Sequence, residues 1–292
     1  MTEQATDQTN ALTLADLRRE IDRIDATVHR LLMERGEIIG TLIAVKKTQE
    51  SGSAFRPARE ADMMRRLVER HAGILPLDTV ESIWRVIIST FTYVQAPFSV
   101  HADLSAGDAA MRDSARFHFD FTAPFLAHMS AAAVVAAVRA SRGDIGLVPA
   151  IGIAGMGAWW SLLEGEAAPK IIARLPFVER ADHPAAMPVF AVCHPAADAI
   201  VLDVRVYSVQ VSGWSAAAAH AVEPLAELVA VPDGAFDGAA LLVSVPDGRT
   251  IEDVTRALTA AGASIRSTAL VGGHATRYRV AQDGAAPVPT GR

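Results

Sequence analysis

Two cations in the first fifty residues stand where a helix would bury them. The apolar residues there run Leu14, Leu17, Ile21, Ile24, Val28 and Leu31, then Ile38, Leu42 and Val45. Steps that alternate between three and four mark a helix packing along a seam. Arg35 falls in that seam. Lys46 follows eleven residues later, about three turns at 3.6 residues each, so both cations point the same way. Gln95 shares a phase with Trp84, Ile88 and Phe91 on the apolar side of a later helix. An unpaired buried cation is costly by several kcal/mol. Counter-charges for Arg35 and Lys46 can come from Glu34, Glu37 or Glu60, or from an anionic ligand. The first case is an internal ion pair or a snorkelling side chain. The second is an anion-binding pocket with an amide donor at hand.

The elements that must position these groups are three helices. Thr13 or Asp16 caps the first, which the pattern carries to about Lys47, with Glu20 and Asp22 early in it. Ser51-Gly52-Ser53 breaks it. Pro57 suits the first turn of a second helix, through Arg59, Met63, Met64 and Leu67 to about His71. After Gly73 and Pro76 a third follows, with Val80, Ile83, Trp84, Ile87, Ile88, Phe91 and Val94 as its apolar face, ending near Pro97. No strand signal precedes residue 100. A hairpin of this length cannot bury its long seam alone, so a dimer is expected.

Composition sets the outer bounds. The chain has 292 residues, 51% of them hydrophobic, and a net charge of −6. That length favours two domains, and the mildly acidic balance speaks against nucleic acid as a partner. The one cysteine, Cys193, excludes an internal disulfide framework and fits a reducing, cytoplasmic setting. Residues 1–10 read as a disordered leader without a signal-peptide pattern, and 283–292 as a disordered tail. No apolar run reaches the roughly 18 residues that span a bilayer.

Four pieces in order carry a resemblance to a known family. Leu17-Arg18-Arg19-Glu20-Ile21-Asp22-Arg23-Ile24-Asp25 looks like the opening of the all-helical chorismate mutases. Leu32-Met33-Glu34-Arg35 and Val45-Lys46 continue it at that family's spacing. Arg56-Pro57-Ala58-Arg59-Glu60 resembles the start of the second helix, and Trp84-Arg85-Val86-Ile87-Ile88-Ser89 with Gln95 the third. The likeness spans about residues 12–98. It implies an intertwined homodimer that rearranges chorismate to prephenate, a pericyclic step needing no nucleophile, metal or cofactor. Such a site holds the reactive conformer and stabilises charge on the breaking ether oxygen. The resemblance assigns Arg18, reaching into the partner's pocket, and Arg35 to the two carboxylates. It gives Lys46 and Gln95 to the ether oxygen, Glu60 to the substrate hydroxyl, and Arg59 to support of the carboxylates. Two positions depart from the pattern: Arg56 where the enteric bifunctional members carry aspartate, and Phe91 where they carry a small hydroxyl residue. Neither removes a carboxylate clamp or an ether-oxygen donor; they bear on hydroxyl recognition and rate.

After residue 100 the texture changes to an α/β domain, expected over 101–282. Ala131–Ala140 reads as a helix and Asp144–Pro149 as a buried strand. Strands are expected at Lys170–Leu175, Val189–Cys193 and Ile200–Val211. Residues 240–280 read as strand, helix, strand, strand, a small effector-binding unit. Residues 111–150 faintly resemble part of a prephenate dehydratase domain. Ala150 and Ile151 stand where that pattern has Glu-Asn, and its Thr-Arg-Phe segment is missing. A diverged domain without dehydratase activity follows from this. Gly152, Gly155 and Gly157 spell neither a Walker loop nor a dinucleotide fingerprint. Trp159 and Trp160 read as packing, the nine histidines lack metal-ligand spacing, and Cys193-His194 reads as structural. The expected function is therefore chorismate mutase. The alternatives are an isochorismate pyruvate lyase, a non-catalytic aromatic-metabolite sensor, and a bifunctional mutase–prephenate dehydratase.

Overall fold

Thr13 opens the first helix with a reciprocal cap. Its hydroxyl accepts from the Asp16 N–H at 3.2 Å, and the Asp16 carboxylate accepts from the Thr13 N–H at 2.9 Å. The computed structural model describes residues 13–46, 54–151, 155–185, 187–194, 202–233 and 237–280. The expected leader and tail lie outside these residues, as does Gly152. The chain divides into two units, residues 1–47 and 48–292.

The first unit is the helix α1 (Leu14–Lys46), 33 residues and about 50 Å long. Ion pairs one turn apart, Glu20 with Arg23 and Arg30 with Glu34, line its polar side. Its expected seam is present and bare: Leu17, Ile21, Ile24, Val28, Leu31 and Ile38 are each 46–64% exposed.

The second unit opens with α2 (Pro57–Arg70) and α3 (Leu77–Gln95). Pro57 sits in the first turn of α2, where its missing N–H costs nothing. An α/β lobe follows: β1 (Val100–Asp103), α4 (Asp108–Phe119), β2 (Phe125–His128), α5 (Ala131–Ala140) and β3 (Ile145–Pro149). A 3-10 turn at Trp159–Leu163, β4 (Lys170–Leu175), β5 (Val178–Glu179) and β6 (Val189–Cys193) complete it. A second lobe comprises β7 (Val204–Ser212), α6 (Ala216–Val222), β8 (Glu227–Pro232), β9 (Ala239–Pro246), α7 (Ile251–Ala260) and β10 (Ser264–His274). The short β11 (Tyr278–Arg279) comes last.

Among the described residues nine strands from the two lobes form one sheet in the order β2-β1-β3-β6-β4-β10-β7-β9-β8. Strands β2, β1 and β3 are parallel; β6 runs antiparallel to β3 and β4. The lobes share a single backbone register pair, Gly272 with Ile171. Gly272 has φ +144°, and a Cβ there would lie 2.1 Å from the Ile171 carbonyl oxygen, so only glycine fits the junction. In the second lobe β10-β7-β9-β8 are antiparallel in a βαββαβ order, the ferredoxin-like arrangement. The expected unit over residues 240–280 thus begins earlier, at β7. Its last expected strand leaves it: β11 pairs with β5 in a separate two-stranded sheet.

Packing also differs from the expected boundary near residue 100. Phe55, Met64, Leu67, Val80 and Ile88 share one core with Val100, Ala102, Met111, Phe119, Ile145, Leu147 and Ile172. Helices α2 and α3 therefore belong to the same body as the sheet. The reason lies on α3, whose buried face is Val80, Glu81, Arg85, Ile88, Ser89 and Thr92. Ile83 and Val94, expected on the apolar side, are 43% and 49% exposed. Polar groups so buried need partners, and the α/β lobe holds them. Glu81 accepts from Arg180 Nη1 at 2.9 Å and pairs with His183 Nε2 at 3.1 Å. Ser89 donates to the Phe119 carbonyl at 2.8 Å.

Trp159 and Trp160 are buried in a second core beneath α5, as packing residues. Cys193 is buried, and burial pushes its thiol up to about 12.

Two stability predictions follow from these burials. Glu81→Ala leaves Arg180 and His183 facing each other without their acceptor, and urea unfolding should show a loss of about 3–5 kcal/mol. A loss under one kcal/mol would mean that the apolar core alone fixes α3. His274 is 3% exposed and donates through Nδ1 to the Ala275 carbonyl. Burial pushes its imidazole down from 6.5 to about 4. Its neutral form is thus favoured by folding. Stability is full above pH 6.5 and falls as pH drops from 6.5 towards 4, by about 3 kcal/mol. His274→Gln should flatten that slope in urea titrations across this range.

Candidate functional site

The six residues singled out by sequence divide between the two units. Arg18, Arg35 and Lys46 lie on α1. Arg18 is exposed and Arg35 half-buried; the Lys46 side chain lies outside the described residues. Helix geometry sets their spacing. Seventeen residues separate Arg18 from Arg35, about 26 Å along the axis, so one helix cannot aim both at one small molecule. Arg35 and Lys46 are about 17 Å apart along the same axis, within reach of two long side chains converging from either end.

Arg59, Glu60 and Gln95 belong to the second unit. Arg59 is exposed at the start of α2, and its neighbour Glu60 is 4% exposed. Gln95 closes α3 and donates through Nε2 to the Phe91 carbonyl one turn back, at 2.9 Å. The two departures from the family pattern also sit here. Arg56 is the residue before α2 and donates to the Phe55 carbonyl, while Phe91 supplies the carbonyl that holds Gln95.

Glu60 has a partner that sequence reasoning did not name. Arg85 of α3, 1% exposed, donates through Nη1 to Glu60 Oε2 at 2.7 Å. Its Nη2 donates to the His118 carbonyl of α4 at 2.7 Å, and its guanidinium lies over the Phe177 ring. Burial raises the Glu60 carboxyl above its ordinary range, and the charge and hydrogen bond of Arg85 act against that rise. His118 is buried completely; burial first, then the charge of Arg85, holds its imidazole well below its ordinary value. A signal for Arg85 was present: Glu81, Arg85 and Ser89 recur every four residues on one helix line. Reading only the apolar phase passes over it.

A further polar cluster joins histidines that look scattered in the sequence. His101 on β1 pairs with His128 of β2 at 2.9 Å and with Asp144 at 3.1 Å. Asp144 also accepts from the Ser99 N–H, which fixes the start of β1 beside β3. Among the described residues, no group of three or more His, Cys, Asp or Glu is placed to hold a metal ion. No helix among them is long and apolar enough to cross a membrane.

Comparison with known proteins bears on the helical segment. Residues 17–96 match the family model for chorismate mutase type II. Two curated relatives are bifunctional chorismate mutase/prephenate dehydratases. The one from Neisseria gonorrhoeae is 32% identical over 110 residues, 38% of this chain and 29% of the relative. The one from Aquifex aeolicus is 29% identical over 140 residues, 47% of this chain and 38% of the relative. The chain therefore matches well under half the length of either. Among solved structures, a prephenate dehydratase from Streptococcus mutans has a TM-score of 0.39 at 12% identity, covering 63% of this chain and all of that one. GqqA, described as a novel type of quorum-quenching acylase, also scores 0.39, at 11% identity, covering 61% of this chain and 95% of that one. Scores so low add nothing to the description of this chain. Over residues 17–96 the chain is similar to chorismate mutase type II, the family that its residue pattern resembles.

Proposed function

We propose that the protein is a chorismate mutase, rearranging chorismate to prephenate in pockets that two copies of the chain build together. The observation carrying this reading is the match over residues 17–96, which encloses Arg18, Arg35, Lys46, Arg59, Glu60 and Gln95. Chorismate is a dianion, and its rearrangement breaks an ether bond while forming a carbon–carbon bond within one molecule. Catalysis then consists of holding the compact conformer and stabilising charge on the ether oxygen. Guanidinium groups suit the first task because each can grip a carboxylate with two parallel hydrogen bonds. Arg35 and the partner copy's Arg18 take the carboxylates, with Arg59 in support. Lys46 and Gln95 donate to the ether oxygen, Gln95 giving up its bond to the Phe91 carbonyl. Glu60 accepts from the substrate hydroxyl.

Two observations support a homodimer. Arg18 and Arg35 are too far apart on α1 to serve one substrate. The apolar seam of α1, bare in the single chain, is the surface that a second α1 would cover. The α/β lobe steadies α2 and α3 through the core it shares with them. The single buried cysteine and the absence of any long apolar helix among the described residues fit a cytoplasmic enzyme of aromatic amino acid biosynthesis.

The full chain should convert chorismate to prephenate without added metal and sediment as a dimer. Arg35→Ala should lower kcat/KM by about a hundredfold or more while the dimer persists. Pyruvate from isochorismate, without prephenate from chorismate, would move the assignment to the lyase reaction. Turnover unchanged in Arg35→Ala would remove this pocket from the mechanism.

A further inference from the structure

Arg85 lies outside the seam and the mutase resemblance gives it no role, yet it is among the largest fully buried side chains of the described chain. Its guanidinium spans three elements. It bonds Glu60 of α2, bonds the backbone carbonyl of His118 on α4, and rests on Phe177, which follows β4. A guanidinium fixed at both ends has little rotational freedom, and its fork sets the direction of the carboxylate it holds.

We propose that Arg85 is a positioning residue for the mutase reaction, holding the Glu60 carboxylate anionic and correctly aimed while anchoring it to the α/β lobe. This rests on the reading of Glu60 as the acceptor for the substrate hydroxyl. Arg85 bonds Oε2, so its grip and an approach to the other carboxylate oxygen do not compete for one atom. The anion offers both oxygens as acceptors, whereas the neutral acid turns one of them into a donor, so protonation would weaken the hold on one partner.

Of the charges around Glu60, that of Arg85 most favours its ionised form. On α2, Arg59 acts on it more weakly, and the Arg56 backbone at the helix start favours the anion. On α3, Glu81 is one turn before Arg85 and is already engaged by Arg180 and His183. From α4, His118 offers its carbonyl to Arg85, and its buried ring is kept neutral and stacked on His183. No other cation bonds the Glu60 carboxylate among the described residues. Removing Arg85 leaves burial opposed only by the Arg56 backbone and the weaker charge of Arg59, so the carboxyl must gain its proton at a higher pH.

The test uses the full chain and the pH profile of kcat/KM for prephenate formation. Arg85→Met should move the acidic limb upward by about one pH unit or more and lower kcat about tenfold or more, with KM changing less. Arg85→Lys should restore the position of the limb in large part, because a cation returns, but less of kcat, because the fork does not. Glu60→Gln should abolish that limb. Ser89→Ala breaks another bond between α3 and the lobe without touching Glu60; it should lower stability and leave the limb in place. Should Arg85→Met not fold, Arg85→Lys and Glu60→Gln carry the test. An acidic limb unmoved in Arg85→Met, a kcat fully retained in Arg85→Lys, or a limb still present in Glu60→Gln overturns the inference. So does a shift in Ser89→Ala equal to that in Arg85→Met. A wild type that forms no prephenate overturns the functional reading itself, before any variant is compared.

Discussion

A charged helix face buried against a neighbouring lobe is the constraint from which the rest of this protein can be understood. Glu81, Arg85 and Ser89 follow one line of α3, and each is nearly or wholly withdrawn from water. Such groups are tolerated only where every one meets a partner, and all of these partners but one lie in the α/β lobe. The exception is Glu60, on α2. Two helices that resemble part of a free-standing helical domain are thereby joined to a sheet, and their core runs on into Val100, Ile145 and Ile172.

That arrangement explains why α2, α3 and the α/β lobe can be one body although the sequence changes character between them. It also explains why Glu60 differs from an exposed glutamate. Its surroundings favour the neutral acid, and a single guanidinium opposes them. The two lobes of the sheet are joined differently. One register pair links their ladders at Gly272; Phe190, Val206, Leu242 and Val271 share a core; and Arg174 pairs with Glu227 and Ser208 with Glu164 across the junction.

Much of this was legible in the sequence, and for identifiable reasons. The seam of α1 follows its apolar period and the start of α2 its Pro57, while the span of α3 and the strands β3, β4 and β6 follow apolar patterns that strong burial enforces. What escaped was polar and buried. Strand β1 carries His101 and Asp103 inside the lobe, so it does not read as an apolar run, and β2 is a four-residue edge strand. Helix α4 buries Ser114 and His118 among its apolar residues, which blurs its amphipathic period. The inner face of α3 was missed for the same reason: two apolar lines compete on that helix, and the line mixed with charge is the one that packs. For the site, spacing singled out Arg35, Lys46 and Gln95, but the tie from Glu60 to Arg85 joins residues 25 apart and needs the fold.

The lone cysteine has a practical meaning beyond packing. Cys193 lies in the interior strand β6 with its thiol pushed up to about 12, so at neutral pH it is almost wholly the unreactive, protonated form. The natural chain is therefore a nearly thiol-silent background. A cysteine placed anywhere on the bare seam of α1 would be the only site open to a spin label, a fluorophore or a cross-linker, and the geometry between two copies could be measured without first removing the native thiol.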